Sequence, residues 1–312
     1  MILMKLRSVK DIEIEEKCSV DELIKKMERS GGFTAKKLAE GINILERMLK
    51  EKNCLKFLSF PACIIATGTR GVIREMVRRK FFDIVITTCG TLDHDLARVW
   101  KDYYHGKFLI DDKELHRKGI NRLRNVLVPN ESYGLVIEEK MKEFLDDIFS
   151  NGKKELASYE LVWELGKRIK SKDSIMYWAW KNKIPMIVPG ITDGAVGYQI
   201  WQFSQDHDFK INILRDEQFL SDLIWNAKKS GALIIGGGIS KHHTIWWNQF
   251  KNGLDYAVYI TTAVEFDGSL SGARTREAIS WGKINEKAKH VTIEGDATVY
   301  LPMVYAALLE RL

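Results

Sequence analysis

The sequence predicts a doubly wound α/β fold, with a mostly parallel sheet that carries helices on both faces. Short β-branched runs alternate along the chain with longer segments of helical periodicity, as consecutive parallel strands joined by helices require. Glycines and carboxylates follow several of these runs. Ligands bind beyond the carboxyl ends of the strands in such folds, so the same pattern predicts where a site would lie.

The elements are predicted in chain order from periodicity and capping signals. An N-terminal helical appendage of residues 1–33 contains a helix over 20–29, and residues 34–312 are predicted to form one catalytic α/β domain. Thr34 is a candidate N-cap for a helix over 34–52. A helix over 71–80 precedes a buried strand over 83–88. Further strands are predicted at 186–188, 210–214, 232–235, 257–260 and 291–293, and further helices at 158–170, 217–230 and 297–309.

Composition narrows the class of protein. The 48 Lys and Arg residues outnumber the 42 Asp and Glu residues, but the two signs are interspersed, so no direct nucleic-acid contact is expected. We find no apolar run of membrane-spanning length and no signal peptide, and we expect a cytoplasmic protein with no membrane association. The four cysteines have no CxxC spacing, which favours free thiols over a metal site.

A candidate reactive amine ends the stretch EFDGSLSGARTREAISWGK at 265–283. An apolar wall such as Trp281 would disfavour the charged form of the neighbouring Lys283. A neutral Lys283 could then attack a carbonyl or imine carbon and form a Schiff base. The alternative is a surface lysine that follows the turn glycine Gly282.

Candidate cofactor groups follow the predicted strands. Three glycines at 236–238 would let backbone N–H groups approach a phosphate, although a tight turn explains them equally well. Thr88, Cys89 and Gly90 end another strand. Asp193 and Asp296 follow further strands, where each could accept hydrogen bonds from a ribose or cap a helix.

Longer motifs carry a resemblance to a known family. They are GGGISKHH at 236–243, DYAVYITTAVEFDG at 255–268, SGAR at 271–274, EAISWGKI at 277–284, GINRLRNVLVPNE at 119–131 and NKIPMIVPGITDG at 182–194. Together they resemble deoxyhypusine synthase of the archaeal type, over roughly residues 55–310. The resemblance implies a Rossmann-like domain that binds NAD. The positions that match the family's cofactor contacts are Thr88, Cys89, Gly90, Asp193, Gly237, Thr262, Ala263, Asp267, Ser269, Asp296 and Ala297.

The resemblance also implies a reaction and partners. The 4-aminobutyl group of spermidine would pass through an imine on Lys283 to a lysine of the translation factor 5A precursor. His242 would accept a proton, Trp281 would wall the pocket, and Glu277 would bind an ammonium end of the polyamine. Family members are typically homotetramers with active sites at subunit interfaces, so a homo-oligomer is expected.

Several positions depart from the family pattern. Tyr198 and Leu270 stand where the family has aspartates, and Trp246 replaces an asparagine. Pro61, Ala62 and Cys63 replace Thr, Ser and Asn, while Asp93 and His94 replace paired glutamates. Asp93 and Asp95 could supply the lost charge and so contact the polyamine. Trp246, Trp247 and Tyr198 could instead hold an alkylammonium by cation–π contact, or be ordinary core or interface residues. The donor could therefore be a related polyamine. Two other functions stay open: a polyamine aminobutyl transferase similar to homospermidine synthase, and a catalytically silent NAD-binding homologue.

Overall fold

A six-stranded parallel sheet forms the centre of the computed structural model, which describes residues 6–312. The strands of the chain are β1 Cys54–Ser59, β2 Ile84–Ile86, β3 Tyr104–His105, β4 Ile120–Leu123, β5 Val126–Pro129, β6 Glu155–Leu156, β7 Met186–Ile187, β8 Lys210–Ile211, β9 Lys229–Ile235, β10 Leu254–Thr261 and β11 Ile284–Glu294. The helices are α1 Val20–Ser30, α2 Phe33–Lys50, α3 Arg70–Arg78, α4 Cys89–Trp100, α5 Asp112–Arg117, α6 Gly134–Ser150, α7 Ser158–Ile169, α8 Ile175–Asn182, α9 Ala195–Asp206, α10 Ile213–Asn226, α11 Gly238–Gln249, α12 Thr275–Ser280 and α13 Ala297–Arg311.

The strand order of the central sheet is β11-β10-β9-β1-β2-β7, and every neighbouring pair is parallel. Of these six strands, the first three in chain order (β1, β2 and β7) therefore lie on one side of the sheet and the last three (β9, β10 and β11) on the other. This is the doubly wound order with a switch point between β1 and β9, where ligands commonly bind. It confirms the predicted fold class. Two small sheets, β3-β5-β4 and β6-β8, flank the main one.

The central strands are buried on both faces because successive side chains point to opposite sides. Leu58, Leu233 and Val258 join the larger core cluster, together with buried side chains of α2 and α13. Phe57 and Tyr259 join the second cluster, on the face covered by α10, α11 and α12. This second face carries the candidate lysine, because Ala278 of α12 and Ile284 of β11 belong to the same cluster.

Three element predictions are wrong in detail. Helix α2 begins at Phe33 with Gly32 as its N-cap, so Thr34 lies inside the helix. The strand predicted at 210–214 ends at Ile211, because the Asn212 side chain accepts a hydrogen bond from Leu214 N and starts α10. Consequently α10 runs earlier than the predicted 217–230, and Ser230 belongs to β9.

The sequence analysis also missed β1, the strand beside the switch point. Its sequence is CLKFLS, in which Lys56 interrupts the apolar run. In the structure Lys56 is only partly buried near the start of the strand, and the residues from Phe57 onward are buried. Hydrogen bonding to β2 and β9 on both sides outweighs the weak local pattern.

The predicted N-terminal helix is confirmed as α1. Ser19 and Glu22 form a capping box at its start. The Ser19 hydroxyl also donates to Glu310 at 2.6 Å, and Arg311 pairs with Asp21, so α1 is tied to the last helix of the chain. The domain boundary at residue 33 stays a prediction, and residues 1–5 of the appendage lie outside the described part. No helix within residues 6–312 has the length and apolarity to cross a bilayer.

Candidate active site

A Schellman motif at the end of α12 positions Lys283. Gly282 has a left-handed backbone with φ of 67°, and its N–H donates to Ile279 O at 2.9 Å. The N–H of Lys283 then donates to Ala278 O at 2.9 Å, which completes the two bonds of this motif. The Lys283 carbonyl accepts from Leu254 N at 3.1 Å, which ties the residue to β10. The backbone of the candidate nucleophile is thus held from both sides.

Two tryptophans flank the Lys283 side chain. Its Nζ lies 5.1 Å from the ring centroid of Trp281 and 6.0 Å from that of Trp246. Lys283 is only 9% exposed, whereas Trp281 is 66% exposed and Trp246 is 41% exposed. The amine is therefore largely withdrawn from solvent, while the indole rings remain open to a ligand.

His242 shares this environment, as the resemblance implied. Its ring stacks on Trp246 at a centroid distance of 5.7 Å and an interplanar angle of 21°. Burial, followed by the positive charge of Lys283, lowers the pKa of His242. The imidazole is therefore neutral near pH 7 and able to accept a proton. The adjacent His243 lies instead 3.3 Å from Glu217, and burial lowers its pKa to about 4.

Glu277 lies on α12 with an exposed side chain. Within residues 6–312 its carboxylate has no hydrogen bond or ion pair, so it is free to bind an ammonium group. Its negative charge raises the pKa of Lys241, but burial has the larger effect and lowers that pKa to about 8. The structure thus brings together His242, Trp281 and Lys283, and Glu277 lies on the short helix that ends just before Trp281; we call these four predicted residues the lysine cluster.

Lys241 is a supporting residue that the sequence analysis did not single out. It is 1% exposed, and its Nζ donates to the carbonyls of Leu270 and Ala273, both at 2.7 Å. The ammonium also lies 4.2 Å from the ring centroid of the buried Tyr259. Lys241 thereby fixes the loop that leads into α12. Helical periodicity could have identified Lys241, because it lies on the buried face of α11 with Thr244, Ile245 and Asn248.

The predicted cofactor residues lie mainly at the carboxyl edge of the sheet. Gly236, Gly237 and Gly238 follow β9 at the switch point, and a Cβ on Gly236 would stand 3.3 Å from Pro61, which follows β1. Other members end or follow neighbouring strands: Thr88, Cys89 and Gly90 after β2, Asp193 after β7, Thr262 and Ala263 after β10, and Asp296 and Ala297 after β11. The structure therefore gathers residues that are far apart in the chain.

This edge has the features that a dinucleotide requires. Helix α11 begins without a side-chain cap, so its first N–H groups are available to a phosphate. Gly238 is exposed, with no atom within 4 Å of a Cβ built there. Asp193 and Asp296 are exposed as well, although Asp296 also caps α13 through Thr298 N at 2.8 Å. The residues present therefore fit NAD.

Asp267 and Ser269 lie in the exposed loop between β10 and α12. Hydrogen bonds from Ser269 lower the pKa of Asp267, so this carboxylate is ionised and shapes its own loop. The loop reaches the glycine turn, because a Cβ on Gly237 would stand 2.2 Å from the Ser271 Oγ. It therefore connects the carboxyl edge with the lysine cluster.

The structure gives Asp93 a different position from the one predicted. Asp93 is fully buried, and it accepts hydrogen bonds from Tyr133 Oη at 2.7 Å and from Ala195 N and Val196 N at the start of α9. Its carboxylate caps that helix and does not face solvent, so it has no free oxygen for a polyamine. Asp95 is likewise buried and pairs with Arg70 at 2.8 Å. Neither aspartate replaces the missing family carboxylates in this chain.

The residues that depart from the family pattern lie in different environments. Leu270 packs against the second core cluster. Tyr198 is exposed on α9 beside Trp201 and lines a cleft of about 540 Å³ with Tyr133; Lys283 and its two tryptophans do not line this cleft. His94 donates to or accepts from Tyr103 at 2.9 Å, and burial lowers its pKa to about 4.

Several known proteins are similar to this chain. The family model for deoxyhypusine synthase matches residues 22–308. A probable deoxyhypusine synthase of Picrophilus torridus is 58% identical over 303 residues, and one of Thermoplasma acidophilum is 56% identical over 304; each match covers 97% of both chains. A solved Entamoeba histolytica structure, described as a deoxyhypusine synthase, shares the fold with a TM-score of 0.66 at 20% identity, covering 96% of each chain. The chain therefore belongs to the deoxyhypusine synthase family of enzymes.

Proposed function

We propose that this enzyme is a transferase that moves the 4-aminobutyl group of spermidine, or of a related polyamine, to a lysine of the translation factor 5A precursor. One observation carries the proposal: Lys283 is held by the Schellman motif, is largely withdrawn from water, and lies beside a neutral His242. A lysine that forms an imine must be held in position and shielded from water, and a neighbouring base must be able to accept a proton.

Each member of the lysine cluster has a defined task in this proposal. Glu277 binds a terminal ammonium of the polyamine, and His242 accepts the proton that the donor nitrogen loses on oxidation. Lys283 Nζ then bonds to the oxidised carbon, and 1,3-diaminopropane leaves with its nitrogen. The acceptor lysine displaces Lys283 from the same carbon, and reduction of the new imine gives deoxyhypusine. The sum is transfer of the aminobutyl group without net oxidation.

NAD is the cofactor that we propose for this chemistry. When bound, it would take a hydride from the donor and return that hydride to the product imine. The start of α11 at Gly237 and Gly238 would hold its phosphates, and Asp193 and Asp296 would accept hydrogen bonds from its riboses. All of these residues belong to the predicted domain of residues 34–312.

A second copy of the chain would complete the site. One chain leaves Trp281, Glu277 and His242 exposed, although an imine must be shielded from water. Large aromatic side chains are also exposed, including Trp246 on α11, Phe266 in the loop before α12, and Trp201 on α9. Aromatic residues of this kind are enriched in interface cores. We therefore propose a homo-oligomer, a tetramer in keeping with the family. A translation-factor acceptor also leads us to propose a cytoplasmic location.

The proposal is tested by trapping the imine. The protein is incubated with NAD and labelled spermidine, reduced with borohydride, and mapped by peptide mass spectrometry. We expect label on Lys283, no label in Lys283→Ala, and unchanged labelling in Lys287→Ala, since Lys287 is an exposed lysine on β11.

The second half of the test concerns the acceptor. Label that passes from Lys283 to the translation factor 5A precursor supports the proposal. Label that passes only to free amines would favour a polyamine transferase, and the absence of any adduct with every polyamine tried would favour a silent homologue.

A further inference from the structure

We propose that Trp246 is a specificity-determining residue. Together with Trp281 it forms an aromatic subsite for the cationic internal nitrogen of the donor and the carbon bonded to it. This inference rests on the proposed function, because it concerns the amine that reacts with Lys283. It concerns a position at which this chain departs from the family pattern. The ligand class is a linear aliphatic amine whose internal nitrogen is recognised through aromatic faces.

The distances from Lys283 Nζ to the two indole rings support this aromatic subsite. This Nζ is within about 6 Å of both indole centroids, which is the range of cation–π contact. A carbon that reacts with Nζ must approach to about 3 Å, so the reacting end of the donor lies beside the amine that the two rings flank. Both rings are exposed enough to receive it, as their exposures of 41% and 66% show.

The chemistry at Nζ creates a positive charge that these rings would stabilise. An imine on Lys283 is cationic when it is protonated, and the secondary amine of the donor is also cationic before it is oxidised. Within residues 6–312, no hydrogen bond or ion pair joins Lys283 Nζ to a carboxylate. Aromatic faces therefore meet the charge at the reacting nitrogen, and Glu277 remains for a terminal ammonium.

Trp246 is already held in place without a ligand. His242 stacks on one side of it, and the Phe250 ring meets it edge-on at a centroid distance of 5.4 Å. An indole has one N–H donor and no acceptor, so Trp246 cannot accept a hydrogen bond as an asparagine would. Recognition at this position then depends on charge and apolar contact, and not on the number of N–H groups. Leu270, which packs in the core in place of an aspartate, removes a second acceptor.

A site that recognises the donor through aromatic faces should tolerate a methyl group on its internal nitrogen. A methylated ammonium keeps its charge and gains apolar surface, but it loses an N–H donor. We expect the wild-type protein with NAD to bind spermidine and its N-methylated form, substituted at the secondary nitrogen, with affinities within about threefold of each other. A site based on carboxylate or amide acceptors would instead discriminate against the methylated form.

The test compares binding by calorimetry and borohydride trapping in wild type, Trp246→Phe, Trp246→Leu and Trp246→Asn. Trp246→Leu should bind spermidine about 2- to 30-fold more weakly, the range expected for loss of one cation–π contact. Trp246→Phe should stay close to wild type because it keeps an aromatic face. Trp246→Asn should prefer spermidine over its methylated form. Trp225→Leu is the matched control, since Trp225 is an exposed tryptophan on α10, and it should behave as wild type.

The outcomes separate this inference from the proposed function. If wild type forms the Lys283 adduct and Trp246→Leu matches it in spermidine affinity and methyl preference, the role of Trp246 is refuted and the transferase proposal stands. If wild type forms no adduct, the transferase proposal itself fails. Thermal unfolding of each variant, together with Trp246→Phe, shows whether a loss of binding comes from a loss of folding.

Discussion

Replacement of Gly282 by alanine tests whether the turn after α12 positions the candidate nucleophile. Gly282 has φ of 67°, a conformation that residues with a Cβ adopt at a cost. A Cβ at this position would have no atom within 4 Å, so the substitution introduces no clash. Any effect must therefore come from the backbone conformation and from the residue that follows it, Lys283.

The geometry of Gly282 predicts the size of two effects, a loss of folding free energy and a slower imine formation. The left-handed conformation should cost about 1 kcal/mol of folding free energy in Gly282→Ala, which lowers the melting temperature by about 2 °C in a protein of this size. If the turn relaxes to avoid that cost, Lys283 Nζ moves relative to Trp281 and His242. A misplacement of about 1 Å is enough to slow imine formation at least about tenfold. The effect on chemistry should thus exceed the effect on stability.

A second Schellman motif offers a matched control. Helix α6 ends with Gly152 at φ of 80°, with Gly152 N donating to Phe149 O at 2.9 Å and Lys153 N donating to Ile148 O at 3.3 Å. A Cβ on Gly152 also meets nothing within 4 Å. Gly152→Ala should therefore lose similar stability, measured by thermal unfolding, while it traps labelled spermidine at the wild-type rate. If Gly282→Ala also traps at the wild-type rate, the turn does not position Lys283 and our reasoning is refuted.

Three further predictions use the titratable groups. Because the pKa of His242 is lowered, donor oxidation should stay constant near pH 7 and fall only below the usual histidine range, and a stopped-flow pH profile of His242→Gln should lack that acidic fall. The folded-state pKa of Lys241, about 8, is below its value in the unfolded chain, so wild type should gain stability between about pH 8 and 10.5, whereas Lys241→Met should show a smaller rise in urea unfolding. Asp95→Asn should lose about 3–5 kcal/mol because it leaves the buried Arg70 unpaired, whereas Asp173→Asn, which breaks an exposed ion pair, should lose less than about 1 kcal/mol in the same unfolding assay.

The fold class was predictable because parallel strands carry a strong local signal. The strands at Ile84–Ile86 and Met186–Ile187 are short apolar runs, and both were found from the sequence. The boundaries of α10 and the existence of β1 were missed, because a side-chain cap at Asn212 and pairing on both sides of Phe57 decided them. Local periodicity does not report either kind of contact.

The candidate site likewise combines residues that local sequence identified with one whose role long-range contacts decided. The chemical types of Lys283, His242, Glu277 and Trp281 follow from motifs of a few residues, and the structure places His242 and Trp281 beside Lys283. Asp93 was misjudged, because its residue type suggested a ligand whereas its burial makes it a cap for α9. Burial depends on which helix packs over a residue, and that helix lies about a hundred residues away in the chain.

The sequence by itself determined the parallel α/β architecture, the family and the candidate lysine, since each is encoded by residues that are close together in the chain. Only the tertiary structure decided which polar groups remain free for a ligand and that Trp246 meets Lys283 Nζ from a different helix. The physical reason is that exposure, pairing and cation–π distance depend on the packing of α9, α11 and α12 on the sheet. These contacts join segments that are far apart in the chain, so no local sequence pattern reports them.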